Sequence, residues 1–222
     1  MIAFTIKGIV FDMDNTLLHS SIEFGAMKRD VYDFLCHHRI LPQGLAMDTH
    51  TTSTIIAEAM NTGLLSEDLR HAMWEIAKEH EMRGMMSAVL ELGASELLQQ
   101  LYGQLHLAIV TNNAVEAAVA ALEENKIAHY FDLIIGREAM GLLKPAPDGY
   151  MEVLKHFPHT SPEEWLSVGD AWVDGKASES AGISFIAYRG DIARMNSMGV
   201  FPFAEIQHIE EVIGYLQPRI TK

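Results

Sequence analysis

Hydrophobic positions along the chain follow two different periods, and the change between them divides the sequence. Ile9-Val10-Phe11 is a continuous apolar run that stops at Asp12. Such a run suits a strand buried on both faces, as in a parallel sheet. After Leu18 the spacing turns helical. Met27, Val31, Phe34, Leu35 and His38 recur on one face, with Ser20 or Ser21 placed to cap the start. Leu41-Pro42-Gln43-Gly44 breaks this helix. A threonine-rich stretch, Thr49 to Thr54, leads into a short helix bearing Ile55, Ile56, Ala59 and Met60, which Asn61-Thr62-Gly63 stops. Ser66 caps a third helix with Glu67 and Asp68 in its first turn and an apolar stripe of Leu69, Ala72, Met73, Ile76 and Ala77. No strand is expected between residues 19 and 90.

From Ala94 the pattern alternates. Strands are expected at 105–110, 133–136, 165–168 and 183–188, and helices at 94–102, 115–126, 148–157, 173–181 and about 209–217. Alternation of this kind implies a parallel sheet wrapped on both faces, with right-handed crossovers. The expected fold is α/β: a three-layer, Rossmann-like parallel-sheet core with an inserted all-helical cap. The core is expected to comprise residues 1–18 and 92–222, and the cap residues 19–91.

Composition narrows the function. Acidic residues outnumber basic ones by 30 to 16, for a net charge of −14. A field of that sign repels polyphosphate backbones and argues against nucleic acid as a partner. A small anionic substrate remains compatible, because a local lysine and a metal ion reverse the sign inside a cleft. The single cysteine, Cys36, rules out an internal disulfide or a cysteine metal cluster. No apolar stretch reaches membrane-spanning length, and Asp12 and Asp14 interrupt the first one early, so neither a membrane span nor a secretory signal is expected. A cytoplasmic location follows. Nothing in the sequence sets an oligomeric state.

Four groups lie at or beyond the carboxyl ends of expected strands: Asp12 with Asp14, Thr111, Lys144, and Asp170 with Asp174. In a parallel sheet all of them face one crevice. Carboxylates at Asp12 and Asp170, with the Asp14 carbonyl, are oxygen ligands of the kind magnesium takes. The Thr111 hydroxyl and Lys144 ammonium suit phosphoryl oxygens, and Asp174 is placed to brace the metal ligand or Lys144. Each piece alone has a plainer reading: a strand end, a surface lysine, a capping aspartate. Their joint order at one sheet edge favours the chemical one.

With those residues in place, the sequence resembles the haloacid dehalogenase-like superfamily, in the phosphoglycolate phosphatase-like branch whose helical cap follows the first motif. The motifs are Asp12-Met13-Asp14-Asn15-Thr16-Leu17, Thr111-Asn112-Asn113, Lys144-Pro145-Ala146-Pro147-Asp148-Gly149-Tyr150 and Gly169-Asp170-Ala171-Trp172-Val173-Asp174. The resemblance implies that Asp12 attacks a phosphoryl group to form an aspartyl phosphate, while Asp14 protonates the leaving oxygen and later activates water. It implies Mg2+ held by Asp12, the Asp14 carbonyl and Asp170, and phosphoryl oxygens bound by Thr111, the Asn112 backbone N–H and Lys144. Asp14 argues against carbon–halogen and phosphonate cleavage, whose family members lack an acid there.

The leading expectation is a magnesium-dependent phosphatase acting on a small phosphorylated metabolite. A phosphomutase, in which the aspartyl phosphate passes to a second hydroxyl, is the alternative, and a non-catalytic binding protein on the same scaffold is a third. In the cap, Lys28, Arg29 and Arg83 are candidates for a second anionic group, against the plainer reading of a solvated helix face. Gly84 and Gly93 are candidate hinges for cap closure, and His19 is the histidine nearest the site in sequence.

Overall fold

The computed structural model describes residues 6–216. Residue 217 of the last expected helix, and both ends of the expected core, lie outside the described residues. The strands are β1 (Gly8–Phe11), β2 (Leu18–His19), β3 (Val89–Leu90), β4 (His106–Val110), β5 (Leu133–Ile135), β6 (Trp165–Gly169), β7 (Ser184–Tyr188) and β8 (Ala204–Ile206). The α-helices are α1 (Phe24–His37), α2 (Thr52–Asn61), α3 (Glu67–Met85), α4 (Ala94–Leu101), α5 (Val115–Glu124), α6 (Asp148–His156), α7 (Trp172–Ser180) and α8 (Ile192–Ser197). The chain divides into two compact units, Met1–Ser20 with Ala88–Lys222, and Ser21–Ser87.

In the first unit six parallel strands run in the order β5-β4-β1-β6-β7-β8, flanked by helices, which is the expected α/β architecture. Ile9, Val10 and Phe11 are fully buried, because β1 has a neighbour on each edge and helices over its faces. Each such side chain contributes roughly 1.5–3 kcal/mol by leaving water. Gly8 is required where it stands: a Cβ there would lie 2.3 Å from the ring of buried Trp165 on β6. Successive strands run outward from β1 through β4 to β5, then return to β6 and run the other way to β8. The strand order therefore reverses at β1 and β6, and the crevice beyond their carboxyl ends is where a ligand fits.

Three details differ from the sequence expectation. β2 and β3 form a two-stranded antiparallel ladder, pairing Leu18 with Leu90 and His19 with Val89, in a region expected to lack strands. Two residues per strand leave no alternation to read. β8 adds a sixth strand and α8 a further helix, in a stretch where Pro202 and a three-residue strand conceal the pattern. The last expected helix is instead 3₁₀ over Ile209–Tyr215, with Ile209 and Val212 buried at the i, i+3 spacing that a 3₁₀ turn eclipses.

The second unit is helical. α1 begins at Phe24, later than expected, and neither serine caps it: Glu23 precedes it without a side-chain bond. It buries Met27, Val31, Tyr32 and Leu35, whereas Phe34 is only partly covered and His38 is exposed beyond its end. Ser66 does cap α3, accepting the Leu69 N–H at 3.3 Å. His80 on α3 bonds Asp30 on α1 at 2.7 Å. Lys28 is occupied: its ammonium donates to the carbonyls of Met47 and His50, at 2.7 and 3.0 Å. Gly84 lies within α3, where a Cβ would come 2.5 Å from the Ile22 backbone, so close packing accounts for it.

Candidate active site

The site is built where β1, β4 and β6 end. Asp12 extends β1 by one residue, its N–H donating to Val168 O at 2.8 Å. The chain then turns tightly. The amides of Leu17 and Leu18 both donate to Met13 O at 3.0 Å, and Asn15 donates to Leu18 O at 2.7 Å with its φ at +55°. Asparagine tolerates that left-handed conformation better than most residues. This turn carries Asp14, whose two carboxylate oxygens separate in purpose. Oδ1 accepts from Ser20 Oγ at 2.6 Å and Oδ2 from Asn113 Nδ2.

Lys144 is the hub. It is buried to 2% exposure, and its ammonium donates to Asp12 Oδ1 at 2.6 Å, Asp174 Oδ1 at 2.6 Å and Val110 O at 2.8 Å. Its own peptide is held by Asn112, and a cis bond joins it to Pro145. Asp174, in the first turn of α7, also accepts the Ala171 N–H through Oδ2 at 3.0 Å. Gly169 leaves room for it, since a Cβ there would sit 2.8 Å from Asp174 Cβ. Tyr150 on α6, fully buried, bonds Ser167 Oγ at 3.0 Å and anchors the loop after Lys144 against β6.

Thr111 is buried, and its Oγ1 accepts the Asn113 N–H at 3.2 Å, shaping the turn after β4. Thr16 Oγ1 lies 3.4 Å from Asp12 Oδ2. The geometry thus brings Asp12, Lys144 and Asp174 into one bonded network, with Asp170 beside it and Asp14 linked to the second motif. One oxygen each from Asp12, Asp170 and Asp174 lies within 4.8 Å of the others. His19 is exposed on β2, and none of the bonds of this network reaches it.

Charge in the site is unbalanced toward the negative. Burial, followed by the Asp174 charge, pushes Asp12 up to about 7 against the pull of Lys144. Burial, then Asp12 and Asp174, push Asp170 up to about 8. Burial also raises Asp14, while its bonds from Ser20 and Asn113 oppose the rise. Lys144 is held charged well above the usual lysine range by Asp12 and Asp174, in spite of burial. Three crowded carboxylates offering only hard oxygen donors fit a small divalent cation such as magnesium.

Sequence reasoning misses three roles. Ser20 reads as a helix cap yet bonds Asp14. Asn113 reads as motif filler yet joins the second motif to the first. The Asn112 side chain clamps Lys144, where only its backbone N–H stands out from the motif. Two adjacent amides at a strand end, with one side chain free to turn each way, are the signal for both.

A family model described as haloacid dehalogenase-like hydrolase matches residues 9–188. A phosphoglycolate phosphatase from Vibrio cholerae is 30% identical over 188 residues, covering 80% of this chain and 82% of that protein. Among solved structures, a hydrolase from Pseudomonas syringae shares the fold with a TM-score of 0.70 at 19% identity, covering 95% of this chain and 97% of that one. The YfnB protein of Bacillus subtilis, solved bound to magnesium, has a TM-score of 0.63 at 22% identity, covering 96% and 99%. Motif order, sheet order and the match over residues 9–188 agree: the chain belongs to the haloacid dehalogenase-like hydrolase family.

Proposed function

We propose that the chain is a magnesium-dependent phosphatase that hydrolyses a small phosphorylated metabolite through an aspartyl-phosphate intermediate on Asp12. The observation that carries this reading is the pairing of Asp12 with Lys144 at the crevice, with Asp14 on the same turn but bonded separately. A nucleophile and a proton carrier two residues apart need different surroundings, and here they have them. The phosphatase names of relatives such as the Vibrio cholerae protein point to the same chemistry.

In this mechanism Asp12 Oδ2, the oxygen turned away from Lys144, attacks phosphorus as the leaving oxygen departs. Asp14, raised by burial, delivers a proton to that oxygen and then takes one from the water that cleaves the aspartyl phosphate. Thr111, the Asn112 backbone N–H and Lys144 face the phosphoryl oxygens. Asp12, the Asp14 carbonyl and Asp170 would hold magnesium, which when bound would supply charge neutralisation at the phosphoryl group. Asp174 keeps Lys144 in place between the two carboxylates. Residues 1–18 and 92–222 serve as the catalytic core in this reading, and 19–91 as the cap that selects the substrate.

The test is phosphate release from a panel of phosphorylated metabolites, phosphoglycolate included, with magnesium or with EDTA. Release that needs magnesium and disappears in Asp12→Asn supports the proposal. Release that survives either change overturns it.

A further inference from the structure

Outside the catalytic cluster, one carboxylate is anchored far more firmly than a linker residue needs. Glu91 follows β3, and its side chain is 12% exposed. Its Oε2 accepts the Tyr188 hydroxyl at 2.9 Å and Arg189 Nη1–H at 3.1 Å, both at the carboxyl end of β7. Those donors are themselves fixed. Tyr188 is fully buried, and burial with the Glu91 bond pushes its hydroxyl up to about 12, so it stays a donor across the working pH range. Arg189 donates through its backbone N–H to Ile206 O at 3.0 Å and through Nε to Gln207 O at 2.8 Å, with its guanidinium 4.9 Å from the Tyr188 ring centre.

The other end of Glu91 reaches the catalytic loop. Its backbone N–H donates to Leu17 O at 2.9 Å, and its neighbour Leu90 pairs with Leu18. Leu17 and Leu18 close the turn on Met13 O, and Leu18 O accepts from Asn15. Asp14 lies inside that turn. A continuous path of short bonds therefore runs from the ends of β7 and β8, through the Glu91 side chain and backbone, to the loop that aims Asp14.

We infer that Glu91 is a positioning residue for Asp14, bolting the β2–β3 ladder to the sheet so that the Asp14 turn keeps its register. This rests on the reading of Asp14 as the proton carrier. Glu91 touches no reacting atom. Its effect comes through geometry, and site geometry is unforgiving, because a misplacement of about 1 Å can cost on the order of 100-fold in rate.

The experiment compares wild type with Glu91→Ala, Glu91→Gln and Tyr188→Phe. It measures kcat and KM for phosphate release, together with amide hydrogen exchange over residues 13–19. Glu91→Ala is expected to lower kcat about tenfold with KM within about twofold, and to speed exchange in that segment. Glu91→Gln keeps an acceptor oxygen and recovers most of both losses, and Tyr188→Phe, which leaves Arg189 in place, gives an intermediate effect. Unchanged kcat per folded molecule with unchanged exchange overturns the inference, even if Tm falls. Should Glu91→Ala not fold, the other two variants decide by the same criteria. If wild type releases phosphate from no substrate, the proposed function fails, yet exchange over 13–19 still decides whether Glu91 holds the loop.

Discussion

Asn112 grips the peptide of Lys144 with both halves of its amide. Nδ2 donates to Lys144 O at 3.1 Å, and Oδ1 accepts the Lys144 N–H at 2.9 Å. This is the pattern of a β-ladder made by one side chain, and it joins the turn after β4 to the loop before α6. Asn112→Ala is expected to reduce kcat roughly 10- to 100-fold by loosening Lys144, with the fold retained. Steady-state kinetics with circular dichroism check it, and a wild-type kcat would sink the idea.

Lys144 is a buried cation between two buried carboxylates. Lys144→Met leaves Asp12 and Asp174 facing each other without compensation, so activity should vanish and stability should fall by about 3–5 kcal/mol near neutral pH. Asp12 can escape by taking up a proton. The stability deficit should therefore shrink as the solution is acidified. Urea denaturation at two pH values measures this, and a deficit that grows toward acid would contradict it.

The raised carboxyls make stability depend on pH. Asp12 and Asp170 move from an ordinary value of 3.8 to about 7 and about 8 in the folded protein. A carboxyl raised on folding favours the protonated form, so its stabilising contribution is complete below 3.8 and is lost as pH climbs through 7 to 8. Tm in EDTA should fall over that window. Magnesium binds the ionised form, so millimolar magnesium should raise Tm more at about pH 8 than at about pH 6. Asp170→Asn should flatten both effects. Thermal scans with equal magnesium increments at both pH values would exclude the site.

Asn113 donates to Asp14, the proposed proton carrier, so the two residues can be tested apart. Asp14→Asn should lower kcat by roughly 10²–10⁴, the usual range for losing a general acid–base. Asn113→Ala removes only one donor to Asp14 and should cost far less, while shifting the pH profile of kcat. A profile identical to wild type would show that the bond does not tune Asp14.

Tyr150→Phe serves as the contrast. It leaves the buried Ser167 hydroxyl without its partner, which should cost about 1–2 kcal/mol of stability. kcat should stay within about twofold, because the ring still fills its buried place in the core.

Buried parallel strands declare themselves in the amino-acid sequence as apolar runs. β1, β4, β6 and β7 are legible in that way, with the acidic and hydroxyl groups at their ends. Segments whose structure depends on distant partners are not. β2 and β3 exist because Leu90 meets Leu18 across the fold, and two residues carry no period. β8 is three residues long with only Ile206 buried, beside an exposed Phe201 and Phe203 that read as loop. The same limit applies at the site. Chemical identity marks Asp12, Asp14 and Lys144 as belonging together, but the Asn113–Asp14 bond spans 99 positions, and no local pattern encodes which oxygen an amide chooses.

An ammonium group has three hydrogens, and Lys144 directs one each to Asp12, Asp174 and Val110. None is left over for a substrate before the reaction begins. If Asp12 becomes an acyl phosphate, the oxygen facing Lys144 changes from a charged carboxylate to a weakly accepting carbonyl, and one N–H loses its reason to point there. In the proposed reaction Lys144 would then act as a clock: its three donors stay on Asp12, Asp174 and Val110 while the nucleophile is free, and one would turn to the phosphoryl group once the bond to phosphorus has formed.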